Sequence, residues 1–155
     1  MTNKYKQLIY LIISSAFGAW GCQTDSNRIN KENYNFSILY EFSSADSLRE
    51  DVYRDKYSID TLYLFIEENF NNDVLEIYTN GKPNKQLSVK TDLSTGLADV
   101  VKIGNVVHIN NLGIAINDSP VVSFELINKK MNLIGLEKRG KEIEICFYKK
   151  VPVFY

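Results

Sequence analysis

Histidine occurs once in this chain of 155 residues, at His108, and cysteine twice, at Cys22 and Cys146. That scarcity weighs against thiol catalysis, since a nucleophilic cysteine needs a positioned base and His108 sits between Val107 and Ile109 in an apolar run that reads as a strand. Basic excess is lacking as well. Lysine and arginine number 18 against 19 acidic residues, and the cations are spread along the chain, whereas a nucleic-acid surface concentrates them in a stripe. The pairs Lys129-Lys130 and Lys149-Lys150 read as solvated turns. No HExxH, CxxC, GxSxG, phosphate-binding glycine loop or dinucleotide fingerprint occurs. Long apolar runs are scarce too. The run from Leu8 to Ala19 falls short of the ~20 residues that span a bilayer as a helix.

What that run does have is a setting. Lys4 and Lys6 precede it, and Gly21 stands directly before Cys22, an order of charged, apolar and small residues that matches a secretory leader. Ala19-Trp20-Gly21-Cys22 resembles the lipobox of bacterial lipoproteins, most closely the looser form of Bacteroidota-type bacteria. Trp20 departs from the small or aliphatic residue usual at its position. The resemblance covers about the first 25 residues. It implies that Cys22 is acylated and becomes the first residue of the mature chain, with an anchor in the cell envelope. Gln23, where an aspartate would imply retention in the inner membrane, favours the outer one. Several acyl chains hold a protein on a bilayer, at about 0.8 kcal/mol per buried CH₂. With Cys22 so used, Cys146 has no cysteine to pair with and reads as a small buried residue of a strand.

The organisation that follows is a leader over 1–21, a polar, Asn-rich tether over 22–34 and one domain over 35–155. Removing the leader leaves about 130 residues, enough for a single core. Within the domain, short apolar runs alternate with Asn, Gly, Asp and Pro punctuation. Strands are expected over 34–42, 61–66, 74–79, 86–91, 100–103, 106–109, 112–116, 121–127, 131–136 and 142–148. Asn80-Gly81 is the strongest turn signal, lengthened by Lys82-Pro83-Asn84. A short helix is expected over Ser44–Asp55, where Ala45, Leu48, Val52 and Tyr53 share a face. The fold class is therefore all-β, a two-sheet sandwich of immunoglobulin-like or related type. Its expected core is Ile77, Leu87, Val89, Ile114, Ile116, Phe124, Leu126, Leu133, Ile143, Ile145 and Phe147. Such a core needs neither metal nor cofactor to stand.

Candidate sites are few. Asn69, Asn71, Asn72 and Asp73 supply oxygens that calcium favours, yet they lack EF-hand spacing and suit a turn. Glu142 and Glu144 share an outward strand face, without the cleft that glycosidase carboxylates need. Asp92–Ala98 reads as a packed crossover, with Leu93, Leu97 and Ala98 tucked inward. Asp46-Ser47-Leu48 and Asp60-Thr61-Leu62 resemble the three-residue O-glycosylation signal of some Bacteroidota. The ligand-binding candidates are Tyr63, Phe65, Tyr78 and Tyr148, aromatics on faces opposite the core that would stack on sugars or anchor a protein. The expectation is a non-catalytic envelope lipoprotein, membrane-bound through its lipid, with a glycan or a protein as partner and no nucleic acid.

Overall fold

A computed structural model of the protein describes residues 33–41, 56–148 and 151–152. Among the described residues, nine strands form two sheets: β1 (Asn35–Glu41), β2 (Thr61–Ile66), β3 (Asn71–Thr79), β4 (Lys82–Lys90), β5 (Asp99–Asn105), β6 (Asn111–Ile116), β7 (Val122–Glu125), β8 (Leu133–Arg139) and β9 (Glu142–Tyr148). The first sheet has the order β1-β9-β8-β2-β5 and the second β4-β3-β6-β7. The second is antiparallel throughout, whereas β1 with β9 and β2 with β8 are parallel pairs in the first. These two parallel pairs distinguish the strand layout from the constant-type immunoglobulin arrangement.

Alternation along each strand builds the core. Leu62, Leu64 and Ile66 of β2 face inward, and so do Leu75 and Ile77 of β3, Ile114 and Ile116 of β6, and Ile143 and Ile145 of β9. All are 0 % exposed. At about 1.5–3 kcal/mol for each large side chain buried, this layer carries the fold. Ten of the eleven expected core residues join it, Leu87 only in part. Leu133 is the correction. It is buried, yet it pairs with Tyr63 and Tyr148 on the outer face, because Ile134 and Leu136 take the inward positions of β8.

Three local expectations also change. Asn80 (φ 51) and Gly81 (φ 75) close the β3–β4 hairpin alone, so Lys82-Pro83-Asn84 belongs to β4. Asn80 needs its positive φ because its amide ties that hairpin to the next loop: Nδ2 donates to the His108 carbonyl (2.7 Å), while Oδ1 accepts from the Asn110 (2.8 Å) and Asn111 (3.3 Å) amides. Val106–His108 is a 3-10 turn and not a strand, capped by Asn105, whose side chain accepts from the Val107 amide. Tyr34, just before β1, packs on the core. The leader, Cys22, the tether to residue 32, the helix expected over Ser44–Asp55 and the last three residues lie outside the described residues. Val151 and Pro152 are not in a strand.

The sandwich has two distinct ends. β1 starts at one of them, beside the β8–β9 turn, where the Asn35 amide donates to the Lys141 carbonyl. That end also carries the loops 67–70, 91–98 and 117–121. The other end gathers Ser58–Asp60, the Asn80-Gly81 turn, 106–110 and 126–132. With strands of up to nine residues, the ends stand about 25 Å apart.

Candidate functional site

The four aromatic candidates do not form one row. Tyr63, Phe65 and Tyr148 lie on the outer face of the five-stranded sheet, whereas Tyr78 lies on the outer face of the other sheet. Phe65 is 1 % exposed, so its ring is no platform for a sugar. Tyr57 lies against it, with ring centroids 5.4 Å apart, and meets Tyr63 edge-on at 4.9 Å. Tyr148 reaches over Gly135 and its hydroxyl donates to the Glu67 carboxylate (2.7 Å). A Cβ at position 135 would strike both that ring and that carboxylate, so the close approach depends on glycine. Tyr78 donates to Glu76 (2.6 Å), and this bond holds its proton and raises its pKa, helped by desolvation and the Glu76 charge. These rings pack and hydrogen-bond within the sheets.

Asp73 is not a calcium donor in this arrangement. Lys138, from the opposite sheet, donates to both its carboxylate oxygens at 2.8 Å. The Asn71 amide donates to Oδ2 (2.9 Å) and Asn117 Nδ2 to Oδ1 (2.7 Å). Burial by itself raises the Asp73 carboxyl. The bonds from Lys138, Asn71 and Asn117, together with the Lys138 charge, outweigh that and leave it below its ordinary value. The Lys138 ammonium also lies 5.7 Å from the centre of the Tyr34 ring and 5.9 Å from that of Phe70. A lysine thus occupies the place of a cation, and the cluster clasps the two sheets at the end where β1 begins. Sequence spacing revealed Asp73 as an oxygen donor but not its partner, 65 residues away.

The remaining chemistry-bearing residues are scattered. Cys146 is buried in β9 with its thiol toward Glu144 (3.5 Å). His108 belongs to the turn after β5, three strands across the sheet, so at least ~14 Å separates their backbones. Glu142 and Glu144 do share the outer face of β9. Asn35 donates to the first, and Arg139 approaches the second at 3.6 Å while forming two hydrogen bonds with Glu137. Glu137 foremost, and then Glu144, raise the Arg139 pKa.

In the 92–98 loop, Asp92 organises the turn by accepting from the Ser94 amide and hydroxyl, which lowers its own pKa, and Gly96 takes φ 69. Ala98 packs on the core as expected, but Leu93 is 95 % exposed. Thr61 is buried at the start of β2, leaving Asp60-Thr61-Leu62 little access for a glycosyl carrier. The Asp46-Ser47-Leu48 site lies outside the described residues.

Two surface features remain. A shallow groove of about 390 Å³ opens between the β4 and β5 edges, lined by Lys85, Gln86, Leu87 and Asp99 to Lys102. Lysines and Pro83 along β4 guard that edge against further strand pairing. More pointed is the end of the sandwich opposite the start of β1. There Ile59 is 72 %, Val107 61 % and Ile127 79 % exposed. Sequence periodicity missed these three, because it placed Val107 and Ile127 inside strands. Hydrogen bonds join their loops: the Val106 amide donates to Asp60, the Leu126 amide to Asn110, and Lys129 to the Ile109 carbonyl.

No protein-family model, curated protein or solved structure matches this chain.

Proposed function

We propose that the protein is a lipid-anchored envelope protein, attached through Cys22, whose β-sandwich works by binding a partner and not by catalysis. One observation carries the reading: the strand that continues the tether starts at one end of the sandwich, and Ile59, Val107 and Ile127 are exposed on loops at the other, against Leu93 and Val121 at the first. Solvated loops ordinarily present polar side chains, so three large aliphatics on neighbouring loops mark a surface meant to be covered. About a dozen residues separate Cys22 from β1, a reach of roughly 20 Å as coil. Such a tether holds the domain beside the bilayer with the tips directed outward. The lipobox resemblance favours the outer membrane.

Glycan binding has less support, because Tyr63, Phe65, Tyr78 and Tyr148 divide between two faces and Phe65 is buried. Catalysis has less still, with Cys146 and His108 apart in the fold. The test is mass spectrometry of the protein extracted from membranes. The expected N-terminal peptide starts at an acylated Cys22, and Cys22→Ser moves the protein into the soluble envelope fraction. An unmodified Cys22, or a membrane fraction unchanged by the substitution, refutes the anchor.

A further inference from the structure

We infer that the open edge of β5 is a strand-addition site for an extended acidic segment of another protein, an inference that goes beyond the tip-end reading above and does not depend on it. Among the described residues β1 and β5 end one sheet, and β4 and β7 the other. The β4 and β5 edges lie side by side, with the groove of about 390 Å³ between them. Charge divides the four edges. β4 and β5 carry Lys82, Lys85, Lys90 and Lys102 against Asp99, whereas β1 and β7 carry Glu41 and Glu125 alone. No ion pair among the described residues uses any of the four lysines. Asp99 turns one oxygen back on the Val100 amide (2.7 Å). The other carboxylates nearby stand off the edges: Tyr78 and Gln86 donate to Glu76 on the outer face of β3, and Glu68 and Asp92 belong to the end loops.

The two adjacent edges differ in what they admit. Pro83 has no amide to give and three lysines line β4, so that edge resists another strand. β5 has seven residues, no proline and one lysine, and among the described residues nothing pairs with its outer side. A strand added there gains main-chain hydrogen bonds and covers the groove. Its side chains alternate, so those of one face enter between the sheets and reach Leu87, which faces inward opposite Leu75 yet is only partly buried. Carboxylates on the added strand meet the lysines of both edges, which steers association and makes it weaken with salt. A second copy does not supply that charge. β5 against β5, centred on its middle residue, sets Lys102 opposite Lys102, and β1 or β7 brings a single carboxylate.

The experiment places a photo-crosslinking residue singly at 84, 86 and 100, with 37, 107 and 123 as controls, in the full chain in native envelopes. The expected result is one protein adduct shared by the first three positions and missing from the controls. The crosslinked peptide is an extended segment in which acidic residues alternate with apolar ones. That segment, made as a synthetic peptide and added to the Cys22→Ser chain, should slow amide hydrogen exchange in β5 and not in β4 or β1. Its binding should weaken at least tenfold in 0.5 M salt, when its acids are replaced by amides, or in the Lys85→Gln, Lys90→Gln, Lys102→Gln variant. Far-ultraviolet circular dichroism of that variant must match the parent. Adducts to lipid or to a second copy, equal adducts from the controls, or none at all would overturn the inference. So would a captured segment without carboxylates, or binding that leaves exchange in β5 unchanged. The anchor and the tip-end surface are tested apart from this site, since a protein adduct at 107 alone keeps the tip-end reading and discards strand addition.

Discussion

Replacing Asp73 by asparagine tests how the two sheets are held together. Asparagine keeps the shape and still accepts the Asn71 amide, but it strips the anion from Lys138, which is 15 % exposed and bonded to both oxygens. Removing one member of a buried pair costs about 3–5 kcal/mol. The Tyr34 and Phe70 rings continue to hold the ammonium, and cation–π contacts recover about 0.5–1 kcal/mol, so the expected loss is about 3 kcal/mol. At a urea slope of about 2 kcal/mol/M the midpoint falls by about 1.5 M. Lys138→Met in the same background removes the stranded charge, and the double variant should lie within about 1 kcal/mol of the parent. Urea titrations followed by circular dichroism on the four proteins give a coupling of about 2 kcal/mol or more. A loss below about 1 kcal/mol for Asp73→Asn, or single losses that simply add in the double variant, refutes the clasp.

The same carboxylate dictates a pH response. Its folded pKa lies below the ordinary value of 3.8, so its stabilisation is fully present above that value and vanishes as pH falls through the folded pKa. The stability gap between parent and Asp73→Asn should therefore close in strong acid, and a gap constant from pH 6 to pH 2 would contradict the assignment. Gly135→Ala should cost about 1–3 kcal/mol through overpacking against Tyr148 and Glu67, and much less when Tyr148→Ala is already present. Equal costs in both backgrounds would exclude the contact. Asn80→Ala removes three hydrogen bonds and a residue suited to φ 51, for about 2–3 kcal/mol in urea unfolding. A change below 0.5 kcal/mol would show that the hairpin and the 106–110 loop are not joined through it.

Much of the architecture was legible in the chain because strands announce themselves locally. β2 and β9 match the expected ranges at both ends, since alternating apolar residues bounded by turn formers need no distant partner to be read. The outward aromatics of β2 were assigned to the right face for the same reason. Boundaries failed where sequence rules compete. Lys82-Pro83-Asn84 carries turn residues, yet the Asn80-Gly81 geometry completes the reversal and frees them to pair as an edge strand. Val106–His108 has strand-like residues but follows an Asn105 cap that accepts from Val107 and winds the chain instead.

By itself the sequence determined the class of fold, the inward periodicity of most strands and the expectation of a lipid anchor, all of which are properties of neighbouring residues. Tertiary structure decided which sheet each strand joins and with what polarity. It therefore also decided that Tyr78 parts company with Tyr63, that Lys138 claims Asp73, and that the loops of Ile59, Val107 and Ile127 lie at one end. Those outcomes depend on strands far apart in the chain, and a period-two pattern specifies a face without specifying the neighbour across it.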